Sequence, residues 1–421
     1  MIQKQFLIRR IFRFALRVVK KLPQLPFFLI SLPFTFFLVL LFPFVKIKFI
    51  RLCSNRIGHY ALNTELLLCY LNQKRIEEKN VKYFFYLLDA PICNTQLHLM
   101  WKRVIPILSF AKIVSRIDNT LLFIFGDRYK NSTLKKFEVS EGAVDQLGIL
   151  KKIKKPNLSF LENEVSEAKR ILKQLKIPDN AQFVCLIVRD SGYLNNYYPG
   201  HDWRYHDHRD ADIAAYKKAA LYLADKGYYV LRMGKYVNKK FDIQHPKIID
   251  YANHVLRSDL MDIYLTANCA FCISTCTGLD CVSQIFRKPV LLTNISPHFS
   301  ETLMWYPCTL LISKQLKNKN SGQLLTLSES AQVCHSISRH VLSEFTQKNL
   351  VLIENTDEQL LKVVMQMEAE LNEKWHETKD DQLLQEQYWQ NYKTHCPVNV
   401  KNIYIKIGLN FLKENNRLLL H

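Results

Sequence analysis

The sequence predicts an α/β protein of two doubly wound domains facing each other across a cleft, preceded by an N-terminal hydrophobic segment that associates with a membrane. Three observations carry the prediction. Short apolar runs alternate with helical stretches over most of the 421 residues, and strands hydrophobic on both faces, alternating with helices, belong to parallel sheets covered on both sides. The length suits two domains of ordinary size. The first 64 residues contain no Asp or Glu and eleven Lys and Arg, so more than half of the formal charge of +20 lies there.

The segment opens with MIQKQFLIRRIFRFALRVVKK, in which Phe6, Ile11, Phe14 and Val18 recur at helical spacing among seven basic residues. A basic amphipathic helix of this kind suits an anionic membrane surface. Residues 26–45, PFFLISLPFTFFLVLLFPFV, come next without a charge and are just long enough to span a bilayer. Pro26, Pro33 and Pro43 interrupt them, both flanks are basic, and no small-residue cleavage site follows. These features argue against a simple span and against a signal peptide. Residues 1–50 are expected to form an embedded or re-entrant anchor with both ends cytoplasmic; a single span and a soluble core helix are the alternatives. The residues after 64 share only +9, so nucleic acid is not an expected partner.

Residues 51–155 read as the first domain. VKYFFYLL (81–88) and LLFIF (121–125) have strand character, with the helical TQLHLMWKRVI (95–105) between them. KKIKKPNLS (151–159) is basic and aperiodic and serves as the linker. A second domain over 156–395 starts with the amphipathic LENEVSEAKRILKQL. Its expected strands are FVCLIV (183–188), YYVLRM (228–233), KIIDY (247–251), CAFCIS (269–274) and PVLLTN (289–294). The helices ADIAAYKKAALYLADKG, SDLMDIYLTA and GLDCVSQIF alternate with them, and ENTDEQLLKVVMQMEAEL is a helix with Thr356 as N-cap. Residues 396–421 are expected as a closing helix.

Eleven cysteines show no framework of paired spacings and read as reduced thiols. Four of them, Cys269, Cys272, Cys276 and Cys281, crowd into ANCAFCISTCTGLDC, but their spacing matches no zinc or iron–sulfur run. If ANCAFCIS is a strand, Cys269 and Cys272 point to opposite faces, so no metal site is expected and the thiols pack the core. The STCTG turn is more informative. Ser274, Thr275, Thr277 and Gly278 sit between a strand and a helix, where hydroxyls and free N–H groups make an anion site or, alternatively, an ordinary capped turn. Other strands end in Arg189 and Asp190, in Arg232, Gly234 and Lys235, and in Asn294. In open α/β sheets ligands bind beyond the carboxyl ends of strands, and Arg189, Arg232 and Lys235 together would neutralise a diphosphate. The loop YYPGHDWRYHDHRD (197–210) is long enough to be a flap. His201, His206, His208, Asp202 and Asp207 fit no common metal spacing there, and Arg209 and Asp210 read as ligand or cap residues.

Several stretches resemble a bacterial family of glycosyltransferases associated with surface-polysaccharide (O-antigen and capsule) genes. They are YHDHRDADIAAYKKAALYLADKGYYVLRMGK, CISTCTGLDCVSQIFRKPVLLTN, IENTDEQL, SNRIGHYALNTEL (54–66), CNTQLHLMWKRVI and KIGLNFLKENNRLLL, which together span nearly all of the chain after residue 50. Arg-Asn is usual in that pattern where this chain has Arg209-Asp210, so no ligand contact is assigned to residue 210. The resemblance implies a GT-B-like architecture of two Rossmann-like domains, with the C-terminal one holding a nucleotide-sugar, and this agrees with the loop reading, in which Arg189, Arg209, Arg232, Gly234, Lys235, Ser274, Thr275, Thr277, Gly278 and Asn294 are the candidate donor-binding residues. The N-terminal one would face the acceptor, with His59 as candidate general base and Glu65 and Asp190 as rivals; a structural histidine is the alternative for His59.

The expected function is a membrane-associated glycosyltransferase on the cytoplasmic face of the inner membrane, moving a sugar from a nucleoside-diphosphate donor to a lipid-linked or polysaccharide acceptor. No cofactor is expected, and metal independence follows if Arg, Lys and a helix N-terminus carry the diphosphate charge. A non-catalytic membrane-surface protein and a cysteine-based metal or redox protein are the rival readings.

Overall fold

Two parallel sheets are assembled from the apolar runs. The computed structural model describes residues 25–419 apart from 75–79, 140–144, 146–147, 198, 298–309, 336–340 and 396–404. The expected amphipathic helix before residue 22 lies outside the described residues. The first sheet has three strands in the order β1 (Lys46–Arg51), β2 (Val81–Tyr86), β3 (Ile107–Leu108), all parallel. Its first strand crosses the division expected at residue 50.

This sheet is wound in one direction only, not doubly as expected. LLFIF adds no strand to it: these residues are the last turns of the helix Ala111–Phe125. With no Gly or Pro before Gly126, Val114, Ile117, Asp118 and Leu121 recur at three and four residues and face inward, so helical periodicity wins over local β-propensity.

The second sheet is larger and doubly wound. Its seven parallel strands run in the order β12 (Lys406–Ile407), β9 (Leu310–Ser313), β8 (Val290–Ile295), β7 (Phe271–Ser274), β4 (Phe183–Ile187), β5 (Tyr229–Arg232), β6 (Ile248–Ile249). From β4 the chain winds one way to β5 and β6, then jumps back and winds the other way from β7, so β4 and β7 flank the topological switch point. Every residue of β4, β7, β8 and β9 is buried, as expected for strands covered on both faces. A small antiparallel pair, β10 (Gln315–Asn318) and β11 (Leu350–Ile353), stands beside the sheet. Thr356 caps Asp357–Leu371 with a full capping box. The C-terminal tail is not one helix: after β12 comes a short helix, Leu409–Glu414, which keeps the tail on the edge of the second sheet.

The two sheets do not face each other across an open gap. The helix Ile57–Lys74 of the first half packs on Asp280–Ile285 of the second, and Thr95–Val104 packs on Asp259–Asn268. Tyr60, Leu66 and Trp101 share one core with Ile263, Val282 and Ile285. Glu65, a rival for the general base, is fully buried in this seam and pairs with Arg287 at 2.8 Å. It is a structural anion, held from any solvent-facing chemistry.

Among the described residues no helix is long and apolar enough to cross a membrane. The apolar run forms the 17-residue helix Leu25–Leu41, lying along Ala111–Phe125. Phe42, just after it, stacks on Phe125 at 3.8 Å, while Phe34, Phe36, Phe37, Leu40 and Phe44 are exposed.

Candidate functional site

The site grows from the switch point. Ile187 and Ser274 are register partners at the ends of β4 and β7. Beyond them the two loops are stitched together: Thr275 N–H donates to the Ile187 carbonyl at 3.2 Å, and Arg189 N–H donates to Thr275 Oγ1 at 2.9 Å. Cys276 sits at φ 60°, reversing the chain, and its carbonyl accepts from Arg209. Asp280 then takes hydrogen bonds from Ser274 Oγ and from Thr277 N–H. Ser274 and Thr275 are thus buried struts of the loop, not ligand contacts. Thr277 is different: its Oγ1 is buried without a hydrogen-bond partner among the described residues, and the residue lines a cavity of about 260 Å³.

That cavity lies between the two halves. Its floor is the switch-point loops, with Arg189, Asp190, Arg209, Gly234, Lys235, Thr277 and Gly278. Its roof is the start of the helix Ile57–Lys74, with Arg56, Gly58 and His59. The expected anion-binding helix start at Gly278 proves to begin only six residues, Asp280–Ile285; the eighteen-residue helix across the cavity presents the stronger dipole end. Two glycines allow the approach. A Cβ on Gly58 would lie 2.9 Å from Gly278 Cα, and one on Gly278 would lie 3.0 Å from Gly58 N. Any side chain at either position would wedge roof from floor.

The cavity is cationic. Among the described residues Arg56, Arg209 and Lys235 have no carboxylate within ion-pair distance; Arg56 lies 6.0 Å from the Trp203 ring and Lys235 lies 5.6 Å from the Tyr197 ring. Only Arg189 is paired, with Asp210 at 3.0 Å, and off the hydrogen-bonding direction, since Arg189 Nε and Asp210 Oδ1 both lack a hydrogen bond. Burial and the neighbouring Arg209 push the Arg189 guanidinium down to about 10. Burial, then Arg209, Arg189 and Arg56, push the His206 imidazole down to about 3, so it is neutral at physiological pH. Burial raises Asp210 to about 6 despite Arg189.

Other expectations need correction. Arg232 has only 1% of its surface exposed and pairs with Asp250 at 3.1 Å. It borders a second cavity, about 400 Å³, rich in Asp190, Asp207, Asp210, Asp212 and Glu354, and not the cationic one. Asn294 is locked into a reciprocal pair with Asn355 (both 2.7 Å) and bonds the Tyr216 hydroxyl, so it braces β8 and offers nothing to a ligand. Asp190 borders both cavities, but its oxygens accept from Gly192 N–H and Asn238 N–H at 2.8 Å each, which makes it the organiser of its loop. Cys269 is not in a strand; it caps the helix Asp259–Asn268, and its Sγ approaches Ser283 Oγ at 3.8 Å, so the opposite-face geometry for Cys269 and Cys272 does not hold. The described thiols are buried, Cys53 aside. Among the described residues no group of three His, Cys, Asp or Glu is placed to hold a metal ion.

Sequence reasoning missed Arg56, His206, Tyr193 and Asp262 as cavity residues. Arg56 was legible as the cation just before Gly58-His59. His206 was visible only as one of several loop histidines, and nothing in the sequence marks Asp262.

No family model matches the chain, and no curated protein matches it. Among solved structures the chain is similar to a glycosyl transferase family 9 protein from Veillonella parvula, at 9% identity over 64% of this chain and 86% of that one, with a TM-score of 0.39. It is similar to the E. coli ADP-heptose LPS heptosyltransferase II at 13% identity, over 72% and 98% of the two chains, TM-score 0.37. The iron-containing dodecameric glycosyltransferase TibC of enterotoxigenic E. coli gives 12% identity, 63% of each chain and a TM-score of 0.33. Superpositions this loose transfer no residue's role.

Proposed function

We propose that the chain is a glycosyltransferase that moves a sugar from a nucleoside-diphosphate donor to a lipid-linked or glycan acceptor in cell-surface glycan synthesis, at the cytoplasmic face of a membrane. One observation carries the reading: Arg56, Arg189, Arg209 and Lys235 converge with a helix start on one cavity at the switch point of a doubly wound sheet, and three of the four cations have no carboxylate partner among the described residues. Cations held this way, in a partly water-excluded site, are matched to a polyanion whose charge grows as a bond breaks.

In the proposed step the acceptor hydroxyl oxygen attacks the anomeric carbon. The bond from that carbon to the diphosphate oxygen breaks, and its electron pair stays on the diphosphate. Arg189 and Arg209 carry that developing charge through guanidinium hydrogen bonds, Lys235 and Arg56 add point charge, and Thr277 Oγ1 donates its unused proton. His59 takes the proton of the acceptor hydroxyl. Its Nδ1 lies 3.4 Å from Asn63 Oδ1, an acceptor that favours the tautomer with the proton on Nδ1 and the lone pair on Nε2.

The membrane part rests on the exposed aromatic and aliphatic side chains of Leu25–Leu41; Phe110 and Phe123 of the neighbouring helix region are exposed as well. A helix packed lengthwise on a polar-bearing helix fits in-plane immersion better than a span. The test of the function is a thermal-shift and calorimetry panel of purified protein against UDP-, GDP-, CDP- and ADP-sugars. Stabilisation by at least one, lost with the free sugar alone, is expected. Indifference to all four classes would overturn the reading.

A further inference from the structure

Asp262 lines the cationic cavity without a role in the proposed transfer. It lies in the helix Asp259–Asn268, only 5% exposed, yet belongs to the cavity wall. Its Oδ2 accepts from Arg257, whose Nε is in turn fixed on the Gly234 carbonyl at 3.0 Å, so the carboxylate cannot swing. Its Oδ1 is buried and has no hydrogen-bond partner among the described residues. A carboxylate oxygen in that state is expensive, and buried polar atoms left unsatisfied point to a partner that arrives later. The surroundings narrow the choice. Gly234, Lys235 and, from the first half, Cys93 and Asn94 line the same cavity. Asn94 gives its Oδ1 to Leu97 N–H and one Nδ2 hydrogen to the Asp259 carbonyl, and among the described residues no donor reaches Asp262 Oδ1. The free oxygen therefore needs a donor from the ligand, small and neutral enough to sit beside Lys235.

We propose that Asp262 Oδ1 accepts a hydrogen bond from a hydroxyl of the ligand, and so selects a hydroxylated sugar ring next to the diphosphate. The inference rests on the nucleotide-sugar reading and goes beyond it, since the ring concerned is either the ribose of the nucleotide or the sugar being transferred. Arg257 is a positioning residue for this oxygen.

The experiment measures affinity by calorimetry at pH 8, above the value of about 7 to which burial raises this carboxyl. ADP, GDP, UDP and CDP are each compared with the 2′,3′-dideoxy analogue and with a corresponding nucleoside-diphosphate hexose. The wild type is set beside Asp262→Asn and beside the double variant Arg257→Gln/Asp262→Asn, which keeps a neutral hydrogen-bonded pair should the single change fail to fold. A hydrogen bond to a charged group is worth about ten- to a hundredfold in affinity. If the ribose is the donor, the wild type prefers a ribonucleotide over its dideoxy analogue by that factor and the variants lose the preference. If the transferred sugar is the donor, the variants lose instead the advantage of the nucleotide-sugar over the bare diphosphate. Variants that melt like the wild type and keep both preferences overturn the proposal and leave Asp262 as the partner of Arg257 alone. A wild type that binds none of the ligands overturns the nucleotide reading and this proposal with it, whereas binding without either loss overturns only the latter.

Discussion

Replacing Arg189 by Met separates binding from stability in a way few other changes would. The side chain is 12% exposed and sits beside a second arginine, and burial first, then that arginine, pushes its guanidinium down to about 10. That depression corresponds to roughly 3 kcal/mol against the charged form. A base with a depressed folded-state pKa loses stability below its unfolded pKa, so this cost is present at every physiological pH and is relieved only near pH 10 and above. Arg189→Met removes the cost while keeping most of the apolar stem. The ligand-free variant is therefore expected to melt at or above the wild-type temperature, the loss of Asp210's partner offsetting part of the gain. Diphosphate binding should move the other way, weakening about ten- to a hundredfold for the lost charge-assisted bond. Calorimetry with the best nucleotide-sugar and thermal unfolding of the free protein give both numbers. Unchanged affinity together with a lowered melting temperature would refute the reasoning, because Arg189 would then be a structural partner of Asp210 and the phosphate site would lie elsewhere.

Gly58→Ala should cost about 1–3 kcal/mol of stability through a Cβ placed 2.9 Å from Gly278 Cα, and should weaken donor binding as the roof lifts; an affinity equal to wild type would show that the contact is slack. His206 and His208 are held near 3 and 4, so the unfolded chain takes up protons below about pH 6.5 that the folded one refuses. Stability contributed by keeping them neutral is present above that pH and falls as pH drops. His206→Phe should flatten this dependence between pH 6.5 and 4, the difference from wild type isolating it from Asp210 and Asp262, whose raised values act in the opposite sense. Glu65→Ala strips the carboxylate partner from half-buried Arg287, which keeps its bonds to backbone carbonyls, and should cost about 3 kcal/mol in urea unfolding; normal stability with lost turnover would restore Glu65 as the base. Phe36→Asp/Phe37→Asp should abolish co-sedimentation with vesicles containing anionic lipid and leave the melting temperature unchanged, and persistent binding would remove the helix Leu25–Leu41 from the membrane contact.

Short-range chemistry made part of this protein legible in its amino-acid order. The runs FVCLIV and PVLLTN read as buried parallel strands, Thr356 as the cap of the helix after it, and the loops after β4 and β7 as emerging on the carboxyl edge of the sheet, where ligands bind in such folds. That much was enough to put Arg189, Lys235 and Thr277 on the edge where the cavity wall lies. Where two elements meet was not legible. Arg232 and Lys235 are three residues apart at the end of one strand, yet alternation and the turn at Gly234 send the first into an ion pair with Asp250 and the second into the cavity. Glu65 and His59 lie on one helix, and the partner halves decide which of them is sealed in the seam and which borders the cavity. LLFIF carries strand-like residues and becomes helix because the neighbouring turn and the packed face favour it. The orphan oxygen of Asp262 has no sequence signature, since an unsatisfied atom is defined by everything that fails to reach it. Sequence determines local conformation and strand direction through steric and periodic rules that act over a few residues; long-range packing alone decides which charges are neutralised and which are left facing a ligand.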